Sequence, residues 1–162
     1  MRNICAIVYT SNTGFTAKYA ALLSDAIHLP HYTLEEAENA LPHGACVFYM
    51  GWLMAGKIKG FTGAKNKFRV LGIAAVGLAP EYDTADLKNF NGGDDAPIFY
   101  LQGGYDKSQL HGFYRIAMGI MEQTLIAKAK KDPSVKPRLT LLQEGIDAVK
   151  PENLAEIIGW IG

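Results

Sequence analysis

The chain has 162 residues, 49% hydrophobic and 20% charged, enough to bury one substantial core. Its 16 basic and 16 acidic residues cancel, and a sequence pI of about 6.9 gives no whole-chain pull toward nucleic acid or another strongly charged partner. The opening stretch MRNICAIVYT has an apolar run too short for a signal peptide, and no stretch is long enough to span a bilayer, so a cytoplasmic protein is expected.

In chain order, the apolar run at residues 4–9 predicts a first strand, covered on both faces because its hydrophobicity is continuous. Phe15, Tyr19, Leu22, Leu23, Ala26 and Ile27 then follow helical spacing and give one apolar stripe. The polar run 28–33 reads as a second strand, placed at a sheet edge because Pro30 within it lacks a ladder donor. Thr33 with Glu36 makes a capping box for a short helix through Leu41. Further apolar runs at 45–50, 69–76 and 97–102 predict the third, fourth and fifth strands. Cys5 and Cys46, the two cysteines of the chain, sit inside such runs and are expected to be small buried hydrophobes in a reducing compartment.

Residues 105–148 exceed what a five-strand unit needs and read as an insertion within one domain spanning 1–162. They predict a helix of about five turns, a turn at KDPSVKP and a further short strand at 139–142. Phe113, Ile116, Ala117, Ile120, Met121, Thr124 and Leu125 form the expected docking stripe of that helix, widened by Tyr114 and Met118. Between Tyr105 and Arg138 there are seven Lys and Arg against three Asp and Glu. Lys107, Arg115, Lys128 and Lys130 in this stretch are suited to attract an anionic substrate or membrane surface. At the C-terminal end Pro151 suits a first helical turn, with Leu154, Ile157, Ile158 and Ile161 as its packing face.

Alternating strands and helices with a weak second strand at the edge describe an α/β fold. The expected form is an open, doubly wound, five-stranded parallel sheet of order 2-1-3-4-5, with ligands held at the carboxyl ends of its strands. His28, His31, His43 and His111 have no metal-ligand spacing with Cys or carboxylates, so no metal site is expected, and no catalytic residue is identified.

The corner between the first strand and first helix reads S-x-T-G-x-T: Ser11, Asn12, Thr13, Gly14, Phe15 and Thr16. Helix N-termini carry unpaired N–H groups and partial positive charge. Gly14 lets the backbone approach a ligand, and the N–H groups of Asn12, Gly14, Phe15 and Thr16 suit an anion nest on which three hydroxyls converge. The loop has no Lys or Arg and matches neither the nucleoside-triphosphate nor the dinucleotide loop, which suits one phosphate monoester held by neutral donors. An ordinary helix cap is the competing reading.

On these residues TSNTGFT resembles the phosphate loop of the flavodoxin family, whose members bind FMN on the 2-1-3-4-5 fold. The resemblance implies that Trp52, Leu53, Met54, Ala55 and Gly56, in GWLMAGKIKG, lie on one side of the flavin. It implies that Val76, Gly77, Leu78 and Ala79, in VGLAPEYD, supply backbone contacts to the ring edge and that Tyr82 stacks on it. Ala55 stands where many members have an aromatic residue, and Lys57 where they have an acidic one. In its order of elements the chain is similar to the menaquinone-dependent protoporphyrinogen oxidase branch, which oxidises a porphyrinogen through FMN and passes electrons to quinone.

Neutral charge, with Lys57 and Ala79 where the family often has acids, weighs against a freely diffusing electron carrier and toward a flavin oxidoreductase. The expected partners are an electron donor or acceptor protein, a quinone or a small anionic substrate, with peripheral membrane contact allowed. A flavin-free binding module on the same fold stays open.

Overall fold

The computed structural model describes residues 2–92 and 95–162, and the chain divides into two compact units, Met1–Gly103 with Val149–Gly162 and Gly104–Ala148. In the larger unit β1 (Ala6–Thr10) lies between β2 (His31–Thr33) and β3 (Cys46–Met54), and beyond β3 come β5 (Arg69–Gly77) and β6 (Ile98–Gln102). These five strands are parallel in the order β2-β1-β3-β5-β6, and the two-residue β4 (Lys57–Ile58) runs antiparallel to β3 off this path. With β4 set aside, this is the doubly wound 2-1-3-4-5 sheet that the apolar runs predict.

The runs are continuous because both faces are covered. Ile7, Phe48, Met50, Ala74, Val76, Phe99 and Leu101 pack with α1 (Phe15–Ile27) and the C-terminal helix Ala155–Ile161. The alternate residues Val8, Val47, Tyr49, Ile73, Ala75 and Ile98 form a second core with α2 (Leu34–Ala40), α3 (Phe61–Lys67) and α4 (Thr84–Asn91). β1, β3, β5 and β6 thus each contribute to two cores with period two.

The Thr33–Glu36 capping box forms: the Glu36 N–H donates to Thr33 Oγ1 at 3.2 Å, and the Thr33 N–H donates to Glu36 Oε2 at 2.8 Å. β2 is the edge strand, as Pro30 demands, but it begins at His31 and not at residue 28. His28, at φ 56°, closes α1 in the left-handed region, and Pro30 serves only as an acceptor, from the Ile7 N–H at 2.9 Å. Pro151 opens a 3-10 turn (Pro151–Leu154) before the C-terminal helix, and Leu154, Ile157 and Ile161 are buried while Ile158 is half-buried.

Two expectations fail here for local reasons. The third strand continues four residues past Met50, because Ala55 (φ 49°) and Gly56 (φ 76°) make a two-residue left-handed turn that folds it back onto β4. Cys5 is exposed and Cys46 half-buried. Ile4 and Ile7 face the same core although three residues apart, so strand alternation breaks between them and Cys5 falls outside it.

In the smaller unit, β7 (Gly104–Tyr105) pairs antiparallel with β8 (Ile146–Asp147), enclosing α5 (Gly112–Ala129) and α6 (Lys136–Glu144). The strand expected at 139–142 is part of α6. Pro137 fits its first turn, and Leu142 is buried, with the half-buried Leu139 one helical turn earlier. Nor does α5 bury its stripe as a whole: Leu125 is buried, but Phe113, Ile116 and Ile120 are 71%, 65% and 64% exposed. Glu122, the one acidic residue of α5, is held by Lys107 at 2.6 Å. No helix among the described residues is long and apolar enough to cross a membrane.

Candidate functional site

The register brings three predicted segments to one end of the sheet. Thr10 pairs with Gly51, Trp52 with Val76 and Gly77 with Gln102, so β1, β3 and β5 deliver their carboxyl ends side by side. The chain leaves β1 toward β2 on one side and returns as β3 on the other, which makes this the topological switch point.

At the first corner Ser11 is a cap: its Oγ accepts the N–H of Gly14 at 3.2 Å and of Ala17 at 3.4 Å. The Gly14 N–H is therefore turned onto Ser11 and does not contribute to an anion nest as the sequence suggests. The three hydroxyls also differ in access, since Thr13 is half-exposed and Thr16 only 2% exposed. Asn12 is exposed, and Phe15 is buried beneath the helix start. Gly14 stands at φ 94°, and a Cβ there would meet nothing within 4 Å. Open space, Thr13 and the first-turn amides together suit a small anion without a charged side chain.

Thr10, the corner's other hydroxyl, faces inward. Its Oγ1 lies 2.7 Å from the Lys59 carbonyl and 3.0 Å from the Tyr49 hydroxyl, which itself donates to Lys59 at 2.6 Å. Burial drives the Tyr49 phenol well above its ordinary pKa, so it remains a neutral donor.

Trp52, Leu53 and Met54 belong to β3 and not to a loop, and Ala55 and Gly56 are the hairpin turn. The Lys59 N–H donates to the Trp52 carbonyl at 3.0 Å, and the Lys59 ammonium sits 5.8 Å from the Trp52 ring. The end of α4 grips the turn: Asn91 donates to the Gly56 carbonyl, and Lys57 donates to the Phe90 carbonyl. Lys57 thereby places its charge at the C-terminal end of a helix, where the dipole favours it. A cleft of about 300 Å³ beside the turn is lined by Lys57, Lys59, Thr62, Phe90 and Asn91, among others.

The third segment is more committed to the protein than its sequence suggests. Val76 is buried. The carbonyls of Gly77, Leu78 and Ala79 accept from the Gly103 N–H at 2.7 Å, Gln102 Nε2 at 3.2 Å and the Tyr100 hydroxyl at 2.6 Å. Tyr82 rests on Tyr100 with ring centroids 5.8 Å apart and a 34° tilt. Burial first, then the neighbouring phenols of Tyr82 and Tyr19, pushes the Tyr100 pKa up to about 12.

Sequence reasoning missed Thr10, Asn91, Tyr100 and Gln102, which shape these segments from inside. Only α4 left a signal, in Asp83, whose carboxylate caps it by accepting the Ala85 N–H at 2.8 Å. Among the described residues no group of three His, Cys, Asp or Glu side chains is placed to hold a metal ion. The chain matches no protein-family model, and comparison with curated proteins and with solved structures gives no significant match.

Proposed function

We propose that the chain is an FMN-binding, flavodoxin-like redox protein of the cytoplasm that works as a flavin oxidoreductase. The observation that carries this reading is the juxtaposition at the switch point: an uncharged corner with open space at Gly14, flanked by the ends of β3 and β5. In this reading Asn12, Thr13 and the backbone N–H groups of Phe15 and Thr16 hold the phosphate, Gly14 leaves room for it, and Ser11 keeps the corner in shape. The β3 end from Trp52 to Gly56 and the segment from Val76 to Ala79 border the ring, with Tyr82 at its margin. FMN supplies the electron-transfer chemistry when bound, and the protein supplies position, electrostatics and access.

Enzyme is preferred to carrier because the chain is neutral and Lys57 brings a cation to the hairpin where an acidic rim would steer a basic partner. A nearby cation stabilises an anionic reduced flavin, so the hydroquinone couple is less negative than in an acidic flavodoxin. The partners of this reading are an electron donor or acceptor protein, a quinone or a small anionic substrate. The exposed Phe113, Ile116 and Ile120 with the basic residues of α5 favour peripheral contact with an anionic surface.

A specific observation favours a second reading, a flavin-free binding module: Tyr82 is engaged by Tyr100, and three carbonyls of its segment are already paired. One titration separates the two. Wild-type protein is expected to quench and red-shift added FMN at one equivalent, whereas Thr13→Ala weakens binding about tenfold while keeping the wild-type Tm. Absence of any FMN binding by folded wild type would leave the module.

A further inference from the structure

We propose that Cys5 and Cys46 form a reversible disulfide, making the amino end of the sheet a thiol-modification site. This does not rest on the flavin reading. The two are the chain's only cysteines, and they fall together although 41 positions separate them. Cys5 and Cys46 immediately precede the first pair of the β1–β3 ladder, Ala6 with Val47. The Cys5 N–H donates to the Cys46 carbonyl at 2.9 Å, and the Cys5 thiol donates to the same oxygen at 3.2 Å.

Neighbouring strands lie about 4.8 Å apart. Cys5 lies just before β1, and its N–H bond to the Cys46 carbonyl at 2.9 Å keeps the two residues at neighbour distance, comparable to the Cα separation of about 4.4–6.8 Å that a disulfide bridges. Closing the bond requires the Cys5 thiol to leave the Cys46 carbonyl, on which it rests at 3.2 Å, for the Cys46 sulfur. Access favours Cys5 as the entry point, because it is exposed and Cys46 is half-buried.

The oxidant is a low-molecular-weight disulfide. The Cys5 thiolate attacks one of its sulfurs, forming a mixed disulfide and releasing one thiol. The Cys46 thiolate then attacks the Cys5 sulfur, forming the internal bond and releasing the second thiol. Two protein thiols are oxidised by two electrons, one external disulfide is reduced to two thiols, and the protons of the protein thiols leave with them. The bond joins adjacent strands at an accessible position, the circumstance in which disulfides are readily reduced again. It ties β1 to β3 at the end opposite Ser11 and closes a loop containing α1, β2 and α2.

The test treats the full wild-type chain with oxidised glutathione, then reads intact mass without reductant, free-thiol content and a peptide map. The expected product is a monomer lacking two hydrogens, with no free thiol and a Cys5–Cys46 cross-linked peptide, returned to starting mass by dithiothreitol. Cys46→Ser is expected to stop at a stable glutathione adduct on Cys5. A lasting adduct on wild-type Cys5 with Cys46 free, a cross-linked dimer, or two thiols unchanged after oxidant would each overturn the proposal.

Discussion

Asn91 and Gly56, thirty-five residues apart, are locked by one side chain: Asn91 Nδ2 donates to the Gly56 carbonyl at 2.8 Å while Asn91 Oδ1 accepts the Ile58 N–H at 2.7 Å. The same amide also donates to Leu87 at 2.8 Å, so one residue holds the two sides of the hairpin turn and its own helix together. Asn91→Ala is expected to cost about 2 kcal/mol, read from the shift in urea midpoint, because partly buried backbone groups lose their partner. Asn91→Asp keeps the acceptor for Ile58 but turns a carboxylate oxygen onto the Gly56 and Leu87 carbonyls at a helix C-terminus, and should lose at least as much at neutral pH. A loss below half a kcal/mol in the alanine variant would mean that the turn holds itself.

Two glycines with similar backbone angles should respond very differently to alanine. Gly60 (φ 77°) would place a Cβ 2.3 Å from the Tyr49 hydroxyl and 2.4 Å from Thr10 Cγ2, whereas Gly14 (φ 94°) meets only open space. Gly14→Ala should carry the backbone strain alone, about 1 kcal/mol. Gly60→Ala adds a clash within the Thr10–Tyr49–Lys59 cluster and should exceed it by about 2 kcal/mol or more. Chemical denaturation of both variants checks the order, and equal losses would show that the cluster yields freely.

The capping box predicts a pH dependence on the acid side. Hydrogen bonds from the Thr33 backbone and side chain lower the Glu36 pKa below its ordinary 4.5, although the carboxylate is exposed. A depressed folded-state value stabilises above the unfolded pKa, and that contribution is lost as pH falls through the folded value. The Tm difference between wild type and Glu36→Gln should therefore shrink as pH is lowered from neutrality to about 3. A constant difference would assign the cap to geometry without charge.

On the alkaline side the sign reverses. Tyr100, pushed from 10.0 up to about 12, keeps its proton in the folded state after the unfolded chain has begun to ionise. A raised value means that stability is complete below the unfolded pKa and lost as pH rises toward the folded one. Stability should fall between about pH 10 and 12, and less steeply in Tyr100→Phe. Tyrosinate absorbance followed together with circular dichroism checks this, since ionisation of Tyr100 without unfolding would contradict its burial.

Much of the sheet was legible because parallel strands covered on both faces leave continuous apolar runs, as from Ile4 through Tyr9, and because Thr33 and Glu36 cap by a local rule. The β3–β4 hairpin was not legible, since its turn places Ala55, and not an Asn or Gly, in the left-handed region. Leu141 and Leu142 read as strand because adjacent leucines fit either period, and Pro137 settles them as helix. At the candidate site the corner was found from its spacing alone. What sequence withheld was the division of labour within it, Ser11 capping and Thr16 buried, because hydrogen-bond partners such as Ala17 depend on three-dimensional position.

The larger unit is discontinuous along the chain, and its seam is explicit: the Tyr19 hydroxyl donates to the Gln102 carbonyl at 2.6 Å and accepts from Asn153 Nδ2 at 2.7 Å. Leu154, Ile157 and Ile161 complete the core beneath it. During synthesis, β1 through β6 emerge with one face of their sheet covered in part, by α1, and residues 104–148 follow before that face can be closed. The segment made later can therefore reach its final form first, while the earlier one waits, with apolar surface open to chaperones, for the residues that seal it.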